Sequence, residues 1–99
     1  MKLNEIKTID LNAREWFDKI NGNSYFSCEI ILNYELESQT VLKIPFQYGY
    51  GEHYETESFK EIIHFLNETI SINELSELCR NKKILLRSHK EKNCKKKEL

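Results

Sequence analysis

No stretch of the chain approaches the roughly 20 consecutive apolar residues that a membrane-spanning helix requires. The opening residues, MKLNEIKTID, alternate polar and apolar and lack the apolar centre of a secretory signal, so a soluble, cytoplasmic protein is expected. Glycine is scarce, at three residues, and proline occurs once, which excludes flexible linkers and turn-rich low complexity before the lysine-rich end. Cysteine comes as an odd set, Cys28, Cys79 and Cys94, widely spaced and without a C-x-x-C pair. Neither a disulfide framework nor a zinc site fits that spacing. Cys28 and Cys79 sit among apolar neighbours and read as small buried hydrophobes. Cys94 reads as a tail thiol among lysines, whose charges lower a thiol pKa where it is exposed.

Catalytic signatures are missing too. The three histidines, His53, His64 and His89, fall on different elements without a partner at metal-binding spacing. The segment GYG is too short for a phosphate loop and no lysine follows it in register. No nucleophile–base pair stands out. A non-enzymatic protein with no cofactor, no metal and no catalytic residue is therefore the expectation.

Ninety-nine residues make one domain, large enough for a modest core. Net charge is −1, but it is laid out unevenly. Residues 1–79 carry 6 basic and 14 acidic groups, a balance of −8, and residues 80–99 carry 9 basic and 2 acidic, a balance of +7. The chain divides into an α+β domain over residues 1–89 and a basic tail, open to flexibility, over residues 90–99. That tail could meet phosphate or an acidic protein surface.

Hydrophobic periodicity supplies the element order. Leu3 to Ile9 reads as a short strand. DLNAREWFDKINGN then reads as a helix: Asn12 caps it with Glu15 three residues on, Leu11 and Trp16 form a staple, Trp16 joins the core, and Gly22 ends it. Ser24 to Leu36 alternates with period two, Phe26, Cys28, Ile30, Leu32, Tyr34 and Leu36 on the packed face. Residues 37–40 turn the chain, and Leu42, Ile44, Phe46 and Tyr48 continue that face, with Pro45 at an edge or bulge. Ser58 caps a second helix, with Phe59, Ile62, Ile63 and Leu66 as its stripe, and Ser71 caps a third, with Ile72, Leu75 and Leu78 buried. KILLRSH reads as the last strand. The fold class is α+β: a three- to four-stranded, mainly antiparallel sheet with two to three helices on one face.

PFQYGYGEHYETE, residues 45–57, interleaves strand-forming tyrosines with glycines that loosen a strand. Such conflict marks special backbone angles or close approach. The start of the 24–36 strand lies beside the end of the next in an antiparallel hairpin. One surface is thus predicted from Asn23, Tyr25, Tyr48, Gly49, Tyr50, Gly51, His53 and Tyr54, Tyr48 leaning to the core and the other rings in or beside the loop. Rings with polar tips suit protein interfaces and stacked small ligands.

REWFDKINGNSYFS followed by PFQYGYGEHY resembles a family of short bacteriophage and prophage proteins. The resemblance rests on Glu15 to Phe17, Asn21 to Tyr25 and Phe46 to Tyr54, with Asn93 and Cys94 similar near the end, and so covers most of the chain. It implies a bacterial cytoplasm and an accessory role, occupying a host protein such as a defence component in the manner of an anti-CRISPR, and it brings no catalytic residues. Two rivals remain. The tail residues Lys90, Lys92, Lys95, Lys96 and Lys97 are the candidates for nucleic-acid contact, and stacked tyrosines could serve as a nucleotide or small-molecule sponge. A free edge strand would also allow pairing of two copies.

Overall fold

The structure is a computed structural model describing residues 1–99. Four strands and two helices follow in the order β1 (Thr8–Asp18), β2 (Asn23–Leu32), β3 (Thr40–Tyr48), α1 (His53–Leu66), α2 (Leu75–Lys82) and β4 (Leu85–Glu91). The sheet order is β3-β2-β1-β4, antiparallel between β1 and β2 and between β2 and β3, and parallel between β1 and β4. It is a mixed sheet in an α+β fold, and both helices cover one face of it. No helix is long and apolar enough to cross a membrane.

The segment expected to form the first helix is the central strand β1. Ile9, Leu11 and Ala13 are buried at period two, while Asp10, Asn12 and Arg14 point to the opposite face. β1 pairs with β2 over Ile9–Asp18 and with β4 over Thr8–Arg14, Ala13 lying opposite Cys28 and beside Lys90, and a capping signal cannot compete with two ladders. Gly22 ends a hairpin rather than a helix: it has φ +71°, and its N–H donates to the Asp18 carbonyl at 2.7 Å. The Asp18 carboxylate accepts from the Ile20 and Asn21 N–H groups and the Asn21 amide, which holds its pKa below the usual value.

Other boundaries move for physical reasons. Leu3–Glu5 is a 3-10 turn, and the strand expected there starts at Thr8. β2 stops at Leu32 because Asn33 turns left-handed at φ 56°, so Tyr34 and Leu36 leave the packed face and are exposed. Helix α1 begins at His53, five residues before Ser58, which is instead buried in mid-helix and donates from Oγ to Cys28 Sγ at 3.5 Å. Tyr54, Ser58, Ile62 and Leu66 form its buried stripe at every fourth residue, with Phe59 beside it. Asn67, left-handed at φ 54°, ends it. Helix α2 starts at Leu75, after Ser71 and Ile72, and its Leu75, Leu78 and Cys79 pack inward. Strand β4 runs to Glu91, so a boundary after residue 89 would fall inside a strand.

The three cysteines are unpaired and buried, Cys94 included. Burial, with the Glu91 and Glu98 carboxylates beside it, pushes the Cys94 thiol up rather than down, against a smaller pull from Arg14. For Cys79 burial pushes the thiol from 9.0 to about 11. The folded protein thus keeps a proton that the unfolded chain releases near pH 9, so this stabilisation is complete below pH 9 and lost as pH rises towards 11. Allowing for screening by solvent, the decline amounts to about 1–2 kcal/mol. Urea titrations across that window should show it, and Cys79→Ala should flatten the slope; an equal slope in the variant would assign the decline to other groups.

Candidate functional site

Helices cover one face of the sheet and leave the other open. On that open face β1 presents Asn12, Arg14 and Trp16, β2 presents Tyr25, Ser27 and Glu29, and β3 adds Lys43, Phe46 and Tyr48. Phe46 and Tyr48 reach it through a bulge. Ile44 pairs with Cys28 but Gln47 pairs with Phe26, so Pro45 and Phe46 together oppose Ser27. That extra residue flips the alternation: Ile44 stays buried, whereas Phe46 and Tyr48 turn away from the core face expected for them. Trp16 likewise packs on the open side instead of under the helices.

The result is a contiguous row of rings. Tyr25 stacks on Phe46 with centroids 5.0 Å apart and planes 8° apart, and Trp16 lies 5.5 Å from Tyr25 and 6.3 Å from Phe46. Tyr48 meets Tyr25 edge-on at 5.9 Å, and Tyr50 meets Tyr48 at 6.4 Å. At the outer end the row is open to solvent, Tyr48 being 56 % and Tyr50 69 % exposed. Phe17 and Ile20, on the neighbouring hairpin, are exposed as well. Isolated surface hydrophobes are ordinary, whereas a contiguous exposed aromatic patch is the less common feature of a monomer's surface.

The predicted surface residues divide into two groups. Tyr25, Tyr48 and Tyr50 do converge, and Asn23 opens β2 opposite Asp18. Gly49 is buried at the seam, its N–H on the Ser24 carbonyl at 3.1 Å, and a Cβ there would lie 2.6 Å from Phe26 Cε1 and 2.7 Å from His53 Cδ2. Gly51 supplies φ +59° at the entrance to α1. His53 is the first residue of α1 and stands edge-on to Phe26 at 5.8 Å. Tyr54 is not in the loop surface at all: it is 5 % exposed, and its hydroxyl hydrogen-bonds Ser88 Oγ at 2.6 Å. Helix α1 starts early enough to carry its ring inward.

The basic segment folds back across the sheet. Lys90 belongs to β4, where its ammonium lies 3.3 Å from Glu15 Oε1 and donates to the Gly51 carbonyl at 2.9 Å, so this lysine is tied into the fold. The Cys94 N–H donates to the Glu15 carbonyl at 3.0 Å, and a 3-10 turn at Lys96–Glu98 follows. Lys96 Nζ stands over the open face, 5.4 Å from the Trp16 ring centroid and 5.9 Å from that of Phe46. Arg14 Nη1 donates to the Glu98 carbonyl at 3.0 Å. Lys92, Lys95 and Lys97 are exposed. Between β1, the Pro45 bulge and residues 98–99 lies a groove of about 590 Å³ lined by Arg14, Ser27, Glu29, Lys43 and Phe46.

Sequence reasoning missed Trp16, Phe46 and Lys96 as members of this face. A helical reading of β1 hides Trp16, and only a bulge, which the single proline hints at, exposes Phe46. No group of three or more His, Cys, Asp or Glu side chains is placed to hold a metal ion. Comparison with family models, with curated proteins and with solved structures finds no match for the chain.

Proposed function

We propose that this is a non-catalytic binding protein, made by a phage or prophage in the bacterial cytoplasm, that occupies a host protein and modulates or inhibits it, a defence component being the leading class. The observation that carries the reading is the exposed end of the aromatic row, Tyr25, Tyr48 and Tyr50, on a rigid sheet and loop. Tyrosines held in place lose little conformational freedom on docking and present both a ring and a hydroxyl, the combination enriched at interface hot spots. The resemblance of REWFDKINGNSYFS and PFQYGYGEHY to phage accessory proteins supplies the biological setting. On the edge strand β3, Pro45 and its bulge blunt ladder pairing, which favours side-chain docking over strand addition by a second copy.

The test begins with a tagged protein and a nuclease-treated bacterial lysate, followed by affinity measurement against the retained partner. Tyr48→Ala with Tyr50→Ala should weaken that affinity by about 100-fold or more. Because both side chains are largely in water, the thermal midpoint should shift by no more than about 2 °C. Unchanged affinity would remove the reading, and a large loss of stability would make the tyrosines structural.

A further inference from the structure

The inner half of the open face carries a second inference that goes beyond docking of a host protein. We propose that the groove beside Trp16 and Phe46 binds single-stranded nucleic acid, bases lying on the rings and phosphates meeting the cations around them. The occupant is argued from charge. Arg14 and Lys43 line the groove at Phe46, Lys19, Lys95 and Lys96 line the pocket at Trp16, and Lys96 spans the two rings; none of the five has a carboxylate within 4.0 Å, the chain's ion pairs being confined to Lys60–Glu57, Arg87–Asp10 and Lys90–Glu15. Arg14 is satisfied only by a neutral backbone carbonyl, which a phosphate oxygen would replace with a charge-assisted bond.

The acidic groups nearby are largely engaged with the backbone. Asp18 accepts from Ile20 and Asn21, and Glu98 Oε1 accepts from the Lys95 N–H at 2.7 Å. Glu29, opposite Lys43 in register, lines the groove with its side chain in water, and Glu98 and the chain-end Leu99 close its far side, so the cations are offset there but not paired. A cationic rim over a bare aromatic sheet, with helices only behind it, is the arrangement in which sheet-based single-strand binders stack bases without reading sequence. The A-form or B-form duplex does not fit it, because stacked bases in a duplex hide their faces. Lys96 is the pivot. Its ammonium lies over both rings, and a base laid on those rings displaces it sideways towards the flanking phosphate.

Trp16 is the only tryptophan in the chain, so the site carries its own reporter. The intact protein is titrated with an oligothymidylate of about ten residues while Trp16 fluorescence is followed, the length matching a single-domain stacking site. Quenching is expected, with an affinity that falls about 18-fold between 50 and 200 mM salt, the slope for roughly three phosphate contacts on a single strand. Phe46→Ala should weaken binding roughly tenfold or more through lost stacking. Lys43→Ala with Lys96→Ala, both exposed, should weaken it and lower the salt slope by about 1.4. Poly-L-glutamate is the control for bare charge. Absence of quenching, equal binding of poly-L-glutamate, or a salt slope unmoved by the lysine pair would each overturn the proposal. Tyr50→Ala, at the end of the row and in contact with Tyr48 rather than with Tyr25 or Phe46, should leave oligothymidylate binding within about twofold, which separates this site from the protein-docking end of the row.

Discussion

Asn33→Ala is expected to lower the unfolding free energy by about 3–4 kcal/mol, the largest effect of any single polar substitution in the molecule. Asn33 is 0 % exposed and holds three segments together with one amide. Its Oδ1 accepts from the Lys7 N–H at 2.6 Å and the Thr8 N–H at 3.3 Å, while its Nδ2 donates to the Glu5 carbonyl and to Ser38 Oγ, both at 2.9 Å. Alanine would remove four part-buried hydrogen bonds at once, and each group left without its partner costs about 1–3 kcal/mol to the extent that it stays out of water. It would also hold φ at 56° without the local bonds that let asparagine tolerate that region. Thermal unfolding should shift by about 15–25 °C. Asn33→Gly separates the two causes. Glycine accepts the backbone angle, so it should recover about 0.5–1 kcal/mol relative to alanine and leave the rest of the deficit in place. A loss below about 1 kcal/mol for alanine would mean that solvent satisfies these groups and that the N-terminal turn is held by its apolar contacts instead.

That same residue explains part of what the sequence left hidden. Period-two alternation runs without a break from Phe26 through Leu36, and nothing in it signals that Asn33 will turn left-handed and end the strand at Leu32. The alternating core of β2 was legible, and so were Phe59, Ile62 and Leu66 of α1 and Leu75 and Leu78 of α2, though Ile63 is only half-buried and Ile72 lies outside α2; burial on one face leaves a pattern that tertiary structure seldom reverses. Segment 8–18 was not. Ile9, Leu11 and Ala13 at period two compete there with Ala13, Trp16, Phe17 and Ile20 at helical spacing, and the decision rests on two neighbouring strands that local sequence does not show. Helix α1 offered a better signal than its apparent cap: Tyr54, Ser58, Ile62 and Leu66 recur at every fourth residue, with a serine and a tyrosine standing in for aliphatic side chains. Small or hydroxyl-bearing residues in a buried stripe are easily read as polar.

The site was legible to the extent that it depends on hairpin geometry. Antiparallel pairing necessarily brings Tyr25 to Tyr48, and the next ring, Tyr50, follows. Which way those rings point was not legible. A bulge of one residue at Pro45 and Phe46 changes the parity of everything after it, and parity decides between core and surface. Lys96 could not be placed either, since residues 92–99 carry no hydrophobic period to register them against the sheet, apart from Cys94, which is buried.

Gly49→Ala should cost about 2–3 kcal/mol, and Gly51→Ala only about 1 kcal/mol, although the two glycines are separated by one residue. The costs have different origins. At Gly49 the backbone angle is ordinary but the space is missing: a Cβ would meet Phe26 Cε1 at 2.6 Å and His53 Cδ2 at 2.7 Å. His53 is exposed and can swing away, whereas Phe26 is locked in the core beneath β3, so the strand itself must lift. At Gly51 nothing lies within 4 Å, and the cost is the strain of an L-residue at φ +59°. Relief at the imidazole offers a check on the mechanism. If His53 were the obstruction, Gly49→Ala combined with His53→Ala would restore stability; with Phe26 as the obstruction, the double variant should remain at least about 1.5 kcal/mol below His53→Ala alone. Lifting β3 at Gly49 also moves Tyr48 and Tyr50, the residues on either side of it. Gly49→Ala should therefore weaken partner docking while sparing the Trp16–Phe46 groove, and Gly51→Ala should disturb neither. A tight seam at Gly49 thus holds the exposed tyrosines in register, which is what the alternation of tyrosine and glycine in YGYG accomplishes physically.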